Sequence, residues 1–405
     1  MKKHYFATLF IITTHLVTAT NTEAFIHNEE ISAIPSIKIL IGENVEGALV
    51  EAKGSYRVID PNTNKNLSHG SHLKRYYLQQ QPDGLKWGEG YPGIFQIKIL
   101  PEADETSILV DGIQYKGSLE AYVVDGQIHL VNNIPIEIYL KSLLTEIFAT
   151  SSLSRITLEA LAIVARTDLY NKALQNRHAF WHLDAKKVGY KGYAITRIKT
   201  EIDNAVDSTQ YLVMLHKNRP FPTTWTENCA GVTADFRSIF RKDVETPEGV
   251  FSSYARKDRE RYKWKYSIHV SEFEKRIPIQ GVKSIDLYKD PKTNKVYGVR
   301  IKGSKEIRSF DFNEFWNKMG KNNVRSNDMT VHLDSKTNQI LFEGYGEGPG
   351  VGLCLFSATL MGKNGESAPQ ILANFYPFTS LAKLESIPEH MFSSDENFIR
   401  FKKKR

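Results

Sequence analysis

The segment from Val131 to Lys172 constrains the fold more than any other part of this chain. Its first half predicts a turn at Asn132-Asn133, followed by an amphipathic helix. The apolar stripe of that helix consists of Tyr139, Leu140, Leu143, Leu144 and Ile147. Glu146 lies at the edge of this stripe, so we expect it to face any groove beside the helix.

A second helix is predicted to begin near Thr157, with Glu159 behind it as a weak start signal. It is rich in small residues, which allow close packing, so we expect it to be buried. These residues are Ala160, Ala162 and Ala165. Arg166 follows them and needs a partner, because an unpaired buried charge is very costly.

Short strands are predicted before this helix pair, first over residues 36–41 and then within 48–59. Between residues 106 and 134, Asp111-Gly112 and Asp125-Gly126 separate apolar runs, which is a strong hairpin signal. After the helix pair, strands alternate with a helical stretch at Asp311–Lys318. The predicted fold class is α+β, with a β-rich N-terminal part, a central helix pair, a mixed strand and helix insertion and a Gly-rich C-terminal motif.

The predicted organisation has six parts. Residues 1–24 are a signal peptide, 25–100 a β-rich region, 101–260 the core with the helix pair, 261–339 an α/β middle module, 340–385 the Gly-rich motif and 386–405 a basic tail. Lys2 and Lys3 precede a short apolar run, and small residues continue to Ala24, which is typical of a secretory leader. We therefore expect export to the periplasm or cell envelope, with membrane contact only through an uncleaved leader.

The formal net charge of +7 suits an acidic partner but does not select one. Apart from the tail, the basic residues are scattered, so no nucleic-acid partner is predicted. No cofactor is predicted either. A zinc site at Cys229 would need further nitrogen or sulfur ligands, and no histidine follows it before His269. His178 and His182 have a metal-like spacing, but no third ligand is evident, so no metal is predicted.

The runs YLKSLLTEI and EALAIVARTDLY resemble the core signature of the stage II sporulation protein D and amidase-enhancer family. Family positions fall on Tyr139, Leu140, Glu146 and the Ala-Arg-Thr at residues 165–167. The glutamate stands one position earlier here than in the family. Four separated motifs occur in the family's order between residues 36 and 384. The best-known members cleave cell-wall glycan, and the family glutamate is the catalytic acid and base.

The resemblance implies that Glu146 is the catalytic residue. Flanking Leu143, Leu144, Ile147 and Phe148 lead us to expect a desolvated carboxyl group that holds a proton. A lytic transglycosylase needs one such group, because the muramic 6-hydroxyl attacks C1 intramolecularly. For Arg166, two interpretations remain open: it orients Glu146 or binds a muramic carboxylate, or it is a buried arginine that holds loop carbonyls.

Two loops correspond to the family's other signatures, WTENCAGVT at residues 225–233 and GPGVGLCLFS at 348–357. In the second loop, Pro349, Leu355 and Phe356 stand where the family has histidine, glutamine and tyrosine. The predicted substrate-binding residues are Arg166, Tyr193, Trp225, Cys229, Gly231, Thr233, Gly348, Gly350 and Gly352. If the shared signature makes the loops neighbours, Cys229 and Cys354 form a disulfide; two free thiols are the alternative.

The resulting hypothesis is a lytic transglycosylase that acts on peptide-stripped peptidoglycan strands. One alternative is a non-catalytic glycan-binding protein that enhances a cell-wall amidase, which the lost polar side chains favour. A purely structural envelope protein is the other alternative.

Overall fold

The N-terminal part of the chain folds into two antiparallel sheets. In this computed structural model the structure describes residues 34–149, 151–193, 200–387 and 399–400, so the predicted leader and the end of the basic tail lie outside it. The first strands are β1 (Ser36–Val45), β2 (Gly47–Lys53), β3 (Tyr56–Ile59), β4 (Asn66–Gly70), β5 (Lys74–Gln81), β6 (Gly84–Trp87), β7 (Glu89–Pro92), β8 (Gln96–Pro101), β9 (Ser107–Val110), β10 (Ile113–Tyr115), β11 (Ser118–Val124) and β12 (Gln127–Pro135).

Hairpins fix the register of these sheets. Asp125 and Gly126 both adopt positive φ, 51° and 73°, between β11 and β12, as a two-residue type I′ turn requires. Asp111 and Gly112 do the same between β9 and β10. One sheet has the order β10-β9-β2-β5-β6-β7, and an apolar core packs between it and the sheet that contains β12.

The turn predicted at Asn132-Asn133 is wrong, because both residues lie inside strand β12. Their amide side chains make bonds that favour the extended chain. Asn132 Nδ2 donates to the carbonyls of Lys116 and Ser118, and Asn133 Nδ2 donates to Glu120. The chain enters the first helix directly at Ile136.

The helix pair is the centre of the second core. Its elements are α1 (Ile136–Phe148), α2 (Arg155–Gln175), β13 (Leu183–Asp184), α3 (Ala185–Val188), α4 (Glu201–Ser208) and β14 (Leu212–His216). Ser154 caps α2, since its hydroxyl accepts the Thr157 N–H at 3.3 Å. The small residues of α2 are buried, as predicted, and α4, α1 and β14 pack against it. Strand β13 completes the order β13-β1-β12-β11-β8-β3-β4 of the first sheet.

Residues beyond β14 add two small three-stranded sheets. Their elements are β15 (Trp225–Thr226), α5 (Phe236–Phe240), α6 (Ser253–Lys257), a 3₁₀ turn (Arg259–Tyr262), β16 (Lys263–His269), α7 (Val270–Arg276), β17 (Ser284–Lys289), β18 (Val296–Lys302), β19 (Ile307–Asp311), α8 (Phe312–Met319), β20 (Asp328–Asp334) and β21 (Gln339–Tyr345). The sheets β16-β21-β20 and β17-β18-β19 share a separate apolar core with α7 and α8.

The C-terminal elements return to the core around α2. They are β22 (Leu353–Cys354), α9 (Leu355–Lys363), α10 (Ala368–Phe375), β23 (Thr379–Lys383) and β24 (Ile399–Arg400). Strand β22 pairs in parallel with β15, and β23 pairs with β14. The α+β prediction is confirmed, including the β-rich N-terminal region, while the six domain boundaries stay predictions. None of the helices among the described residues is long and apolar enough to cross a membrane.

Candidate functional site

Glu146 lies on the last turn of α1 and faces solvent. Its side chain is 58% exposed, and Oε1 accepts from Lys191 Nζ at 2.5 Å. The expected apolar enclosure is not present, because the buried stripe of α1 runs elsewhere on the helix. That stripe consists of Ile136, Tyr139, Leu140, Leu144 and Phe148, while Ile147 is 46% exposed. Glu146 is therefore an accessible, ion-paired carboxylate.

Arg166 is fully buried on α2 and contacts Glu137, on the first turn of α1. Nε and Nη2 lie 2.7 and 2.8 Å from the two Glu137 oxygens, which is a bidentate pair. The remaining donors reach the carbonyls of Leu212 and Val206 at 3.1 and 3.2 Å. Arg166 is therefore a buried structural arginine, although the carbonyls that it holds belong to α4 and β14 and not to a loop. Its burial corrects the expectation that Arg166 orients Glu146 or contacts substrate.

The two signature loops lie side by side. Trp225 and Thr226 pair in parallel with Leu353 and Cys354. Asn228 and Glu347 exchange two backbone hydrogen bonds of 3.0 and 2.9 Å. The neighbourhood that the resemblance implied for these loops is thus present in the structure.

Cys229 and Cys354 meet at this contact as free, buried thiols. The Cys229 N–H donates to Cys354 Sγ at 3.3 Å. A hydrogen bond to Cys354 and burial raise the pKa of Cys229. Burial opposes ionisation of Cys354, but hydrogen bonds from Cys229 and Ser357 outweigh it and lower the pKa of Cys354 to about 7. The expected disulfide is thus replaced by a thiol–thiol contact, and Cys229, at 0% exposure, is closed to substrate.

Most of the other predicted binding residues shape the loops from within. Thr233 is 1% exposed and accepts the Val250 N–H at 2.9 Å. Gly231 has φ of 108°, and a Cβ there would lie 2.9 Å from the Arg256 side chain. Thr233 and Gly231 are therefore not substrate contacts as predicted, because both are buried and stabilise the loop from inside.

The glycines of the second loop are likewise buried. A Cβ on Gly352 would lie 2.0 Å from the Thr224 carbonyl oxygen, and one on Gly350 would lie 2.7 Å from Asn327 Oδ1. Gly350 and Gly352 therefore permit tight loop packing and do not present a binding surface. Gly348 differs, because it lines an open groove next to Glu227.

Trp225 also lines this groove, whereas Tyr193 is not one of its lining residues. The Trp225 ring is half-buried and sits 5.9 Å from the ring of Phe148, so the end of α1 adjoins the first loop. The Tyr193 N–H donates to the Gln114 carbonyl at 2.8 Å, which places it beside β10 and two residues after Lys191. Among the described residues, no group of three or more His, Cys, Asp or Glu side chains is arranged to hold a metal ion.

The groove that Trp225 lines has a volume of about 340 Å³. Its acidic side chains are Glu227 and Glu347, which the sequence reasoning did not single out. Desolvation by the groove walls, followed by the charge of Glu347, raises the pKa of Glu227, against a hydrogen bond from its own backbone N–H and the charge of Lys321. Glu227 lies within WTENCAGVT, so an acid inside a signature loop was the signal available. Glu137 was also missed, although an acid at the start of one helix is a natural partner for a buried arginine in the next.

A comparison with protein families matches the segment that contains the helix pair. Residues 124–216 match the family model of the stage II sporulation protein, SpoIID. The chain is 37% identical over 182 residues to an uncharacterised protein of Chlamydia pneumoniae, covering 44% of this chain and 66% of that protein. A Chlamydia muridarum protein is 35% identical over 190 residues, with coverages of 46% and 65%. The stage II sporulation protein D of Bacillus amyloliquefaciens is 22% identical over 276 residues, with coverages of 64% and 77%.

The fold and site together define an α+β protein in which a buried helix pair supports two paired loops beside a mixed aromatic and charged groove. Its segment of residues 124–216 belongs to the stage II sporulation protein D family. The chain spans 66% and 65% of the length of the two chlamydial relatives.

Proposed function

We propose that the protein is an exported lytic transglycosylase of the cell envelope that cleaves peptide-stripped glycan strands and leaves anhydromuramyl ends. Its substrate is the peptidoglycan glycan strand, and Glu146 is its acid and base. One observation carries the proposal: the helix that bears Glu146 ends against the paired signature loops, where Phe148 contacts Trp225. The helix that carries the accessible carboxylate thus ends beside Trp225, a residue of the groove.

A single carboxyl group is sufficient for this reaction. Protonated Glu146 gives its proton to the glycosidic oxygen as the bond from C1 to that oxygen breaks, through an oxocarbenium-like transition state. The ionised carboxylate then takes the proton of the muramic 6-hydroxyl as O6 bonds to C1. No water is consumed, and the residue returns to its protonated form.

The ion pair with Lys191 bears on the first of these steps. An ammonium at 2.5 Å binds the ionised carboxylate, so the acid step requires this exposed pair to open. The Lys191 side chain is 75% exposed, and exposed ion pairs are weak, contributing about 0–1 kcal/mol. A bound glycan that excludes the lysine would leave Glu146 free to carry the proton.

The test is product analysis on purified, peptide-free glycan strands. Glu146→Gln removes the transferable proton and should lower the rate by about 10²–10⁴-fold. Glu272→Gln is the matched control, because Glu272 is also a helical glutamate, 48% exposed and paired with basic side chains. Anhydromuramyl products from the wild type identify the reaction. Full activity of Glu146→Gln would overturn the assignment.

A second candidate is a glycan-binding protein that enhances a cell-wall amidase without cleaving glycan. The exposure of Glu146 and its pairing with Lys191 favour it, since neither desolvates an acid. In this case the wild type forms no anhydromuramyl products, and stimulation of the amidase survives Glu146→Gln.

A further inference from the structure

The groove beside the signature loops has the chemistry of a sugar site. The half-buried indole ring of Trp225 lines it, and so does Trp316, which is only 8% exposed and packs against Phe312 and Lys321. Asn313 and Asn322 add amide groups, and Glu227 and Glu347 add carboxyl groups. One accessible aromatic ring together with amide and carboxyl groups suits a saccharide, because a pyranose presents an apolar face and a rim of hydroxyl and acetamido groups.

The backbone contact between the loops brings the two acids together. Asn228 and Glu347 are bridged by two hydrogen bonds, and Glu227 is the residue next to Asn228. The Thr226 hydroxyl also donates to the Glu347 carbonyl at 2.7 Å. Both acids therefore project from one rigid junction of two loops that are far apart in sequence.

The two carboxyl groups have different partners. Oε2 of Glu347 lies 2.6 Å from Arg325 Nη2, so Glu347 has a cationic partner. Glu227 has no ion pair among the described side chains, although the charge of Lys321 acts on it and opposes the effect of Glu347. Two neighbouring carboxylates avoid simultaneous ionisation, so the one without a cation holds its proton longer.

Gly348 leaves room for the Glu227 carboxyl group. A Cβ on Gly348 would come within 2.5 Å of both Glu227 Oε2 and Thr226 Oγ1. The bare backbone thus leaves a place for the carboxyl at the floor of the groove. Glu227 remains open to solvent there, as a group that contacts a ligand must be.

We propose that Glu227, in its protonated form, donates a hydrogen bond to an uncharged oxygen of the bound glycan, such as an acetamido carbonyl. This inference rests on the proposed function, because it takes the groove to be the glycan site. It adds a specificity-determining residue to that site. An ionised Glu227 can only accept hydrogen bonds, so binding weakens as the proton is lost.

The test measures binding and needs no turnover. Affinity for a tetramer of N-acetylglucosamine is measured by calorimetry between pH 4 and pH 8. Wild-type affinity should fall as pH rises. Glu227→Gln keeps a donor at every pH and should bind within about threefold of the low-pH wild type, with no pH dependence. Glu227→Ala loses one hydrogen bond and should bind about 5–10-fold more weakly at low pH.

Two further variants sharpen the test. Glu347→Gln removes the neighbouring negative charge and should move the pH midpoint of binding downward. Glu343→Gln, on strand β21, is the control and should leave the wild-type profile unchanged. Thermal unfolding of each variant shows that it is folded.

The outcomes separate this proposal from the proposed reaction. Wild-type pH dependence that persists in Glu227→Gln, or wild-type affinity in Glu227→Ala, overturns the role of Glu227 alone. Absence of tetramer binding by the wild type also overturns it, while product analysis still decides the reaction. Conversely, unchanged cleavage by Glu146→Gln overturns the proposed reaction, and the binding result for Glu227 is unaffected.

Discussion

The guanidinium of Arg166 on α2 forms a bidentate ion pair with the carboxylate of Glu137 on α1, through two hydrogen bonds of 2.7 and 2.8 Å. Glu137 Oε1 also accepts the Tyr211 N–H at 3.2 Å, and Arg166 donates to Leu212 O. The pair therefore joins both helices to the start of β14. It anchors the first turn of the same helix that carries Glu146 on its last turn.

Replacing Arg166 should destabilise the protein strongly. Arg166→Ala leaves the Glu137 carboxylate buried without its cation and should cost about 3–5 kcal/mol in the free energy of unfolding. Arg166→Lys keeps the charge but loses the planar fork and several donors, so about 1–3 kcal/mol is expected. Urea unfolding measures both values.

Arg155→Lys is the matched control for these variants. Arg155 lies on the same helix and pairs with Glu159, but its side chain is 61% exposed. A loss within about 0.5 kcal/mol is expected, as for most surface substitutions. Equal stability losses at Arg155 and Arg166 would contradict the anchoring role.

Local signals predicted the elements of this fold well. Asp-Gly between apolar runs specifies its own turn, because both residues tolerate positive φ, and both predicted hairpins formed. The alanine-rich helix was predicted as buried, and it is. The turn expected at Asn132-Asn133 is wrong because the two side chains bond to Ser118 and Glu120 of the neighbouring strand β11 and to Lys116 just before it.

The candidate site was harder to predict, because its contacts join distant parts of the chain. Helical spacing placed Glu146 on α1, but the side on which neighbours pack determined that it is exposed. Lys191 is its partner only after the core has folded. Glu227 and Glu347 are 120 positions apart in the sequence. Only the pairing of the two loops brings them together.

Adding a methyl group at Gly348 should disturb the groove. In Gly348→Ala the new Cβ meets Glu227 Oε2 and Thr226 Oγ1, and the residue must also adopt φ of 98°. Gly365 is a close match, with φ of 88° and nothing within 4 Å of its Cβ position. Positive φ alone costs about 1–2 kcal/mol for an L-residue, so Gly365→Ala should lose about that amount. Urea unfolding should show a larger loss for Gly348→Ala, and equal losses would mean that the groove floor is not crowded.

The two cysteines should be free but protected in the folded protein. Cys229 and Cys354 are both 0% exposed, so alkylation by iodoacetamide under native conditions should be slow. The lowered pKa of Cys354 favours the reactive thiolate, but access limits the reaction. In urea without reductant, mass spectrometry should show two alkylated residues. Failure to label either residue in urea would show that the thiols are not free.

His182 should make stability depend on pH in the acidic range. Its Nδ1 accepts the Lys38 N–H at 3.2 Å, and burial, assisted by the charge of Lys38, lowers its pKa from 6.5 to about 4, against the opposing charge of Glu120. The unfolded chain therefore binds a proton between pH 6.5 and 4 that the folded protein does not, so the stabilisation is present above pH 6.5 and is lost as pH falls toward 4. We expect the stability advantage of the wild type over His182→Gln to shrink by roughly 1–2 kcal/mol as pH falls across this window, since partial exposure screens the effect.

Urea unfolding at several pH values measures this difference in the free energy of unfolding. His178 is exposed, so His178→Gln is the control and should stay within about 0.5 kcal/mol of the wild type throughout. A constant difference between the wild type and His182→Gln would show that His182 is not held neutral by the fold.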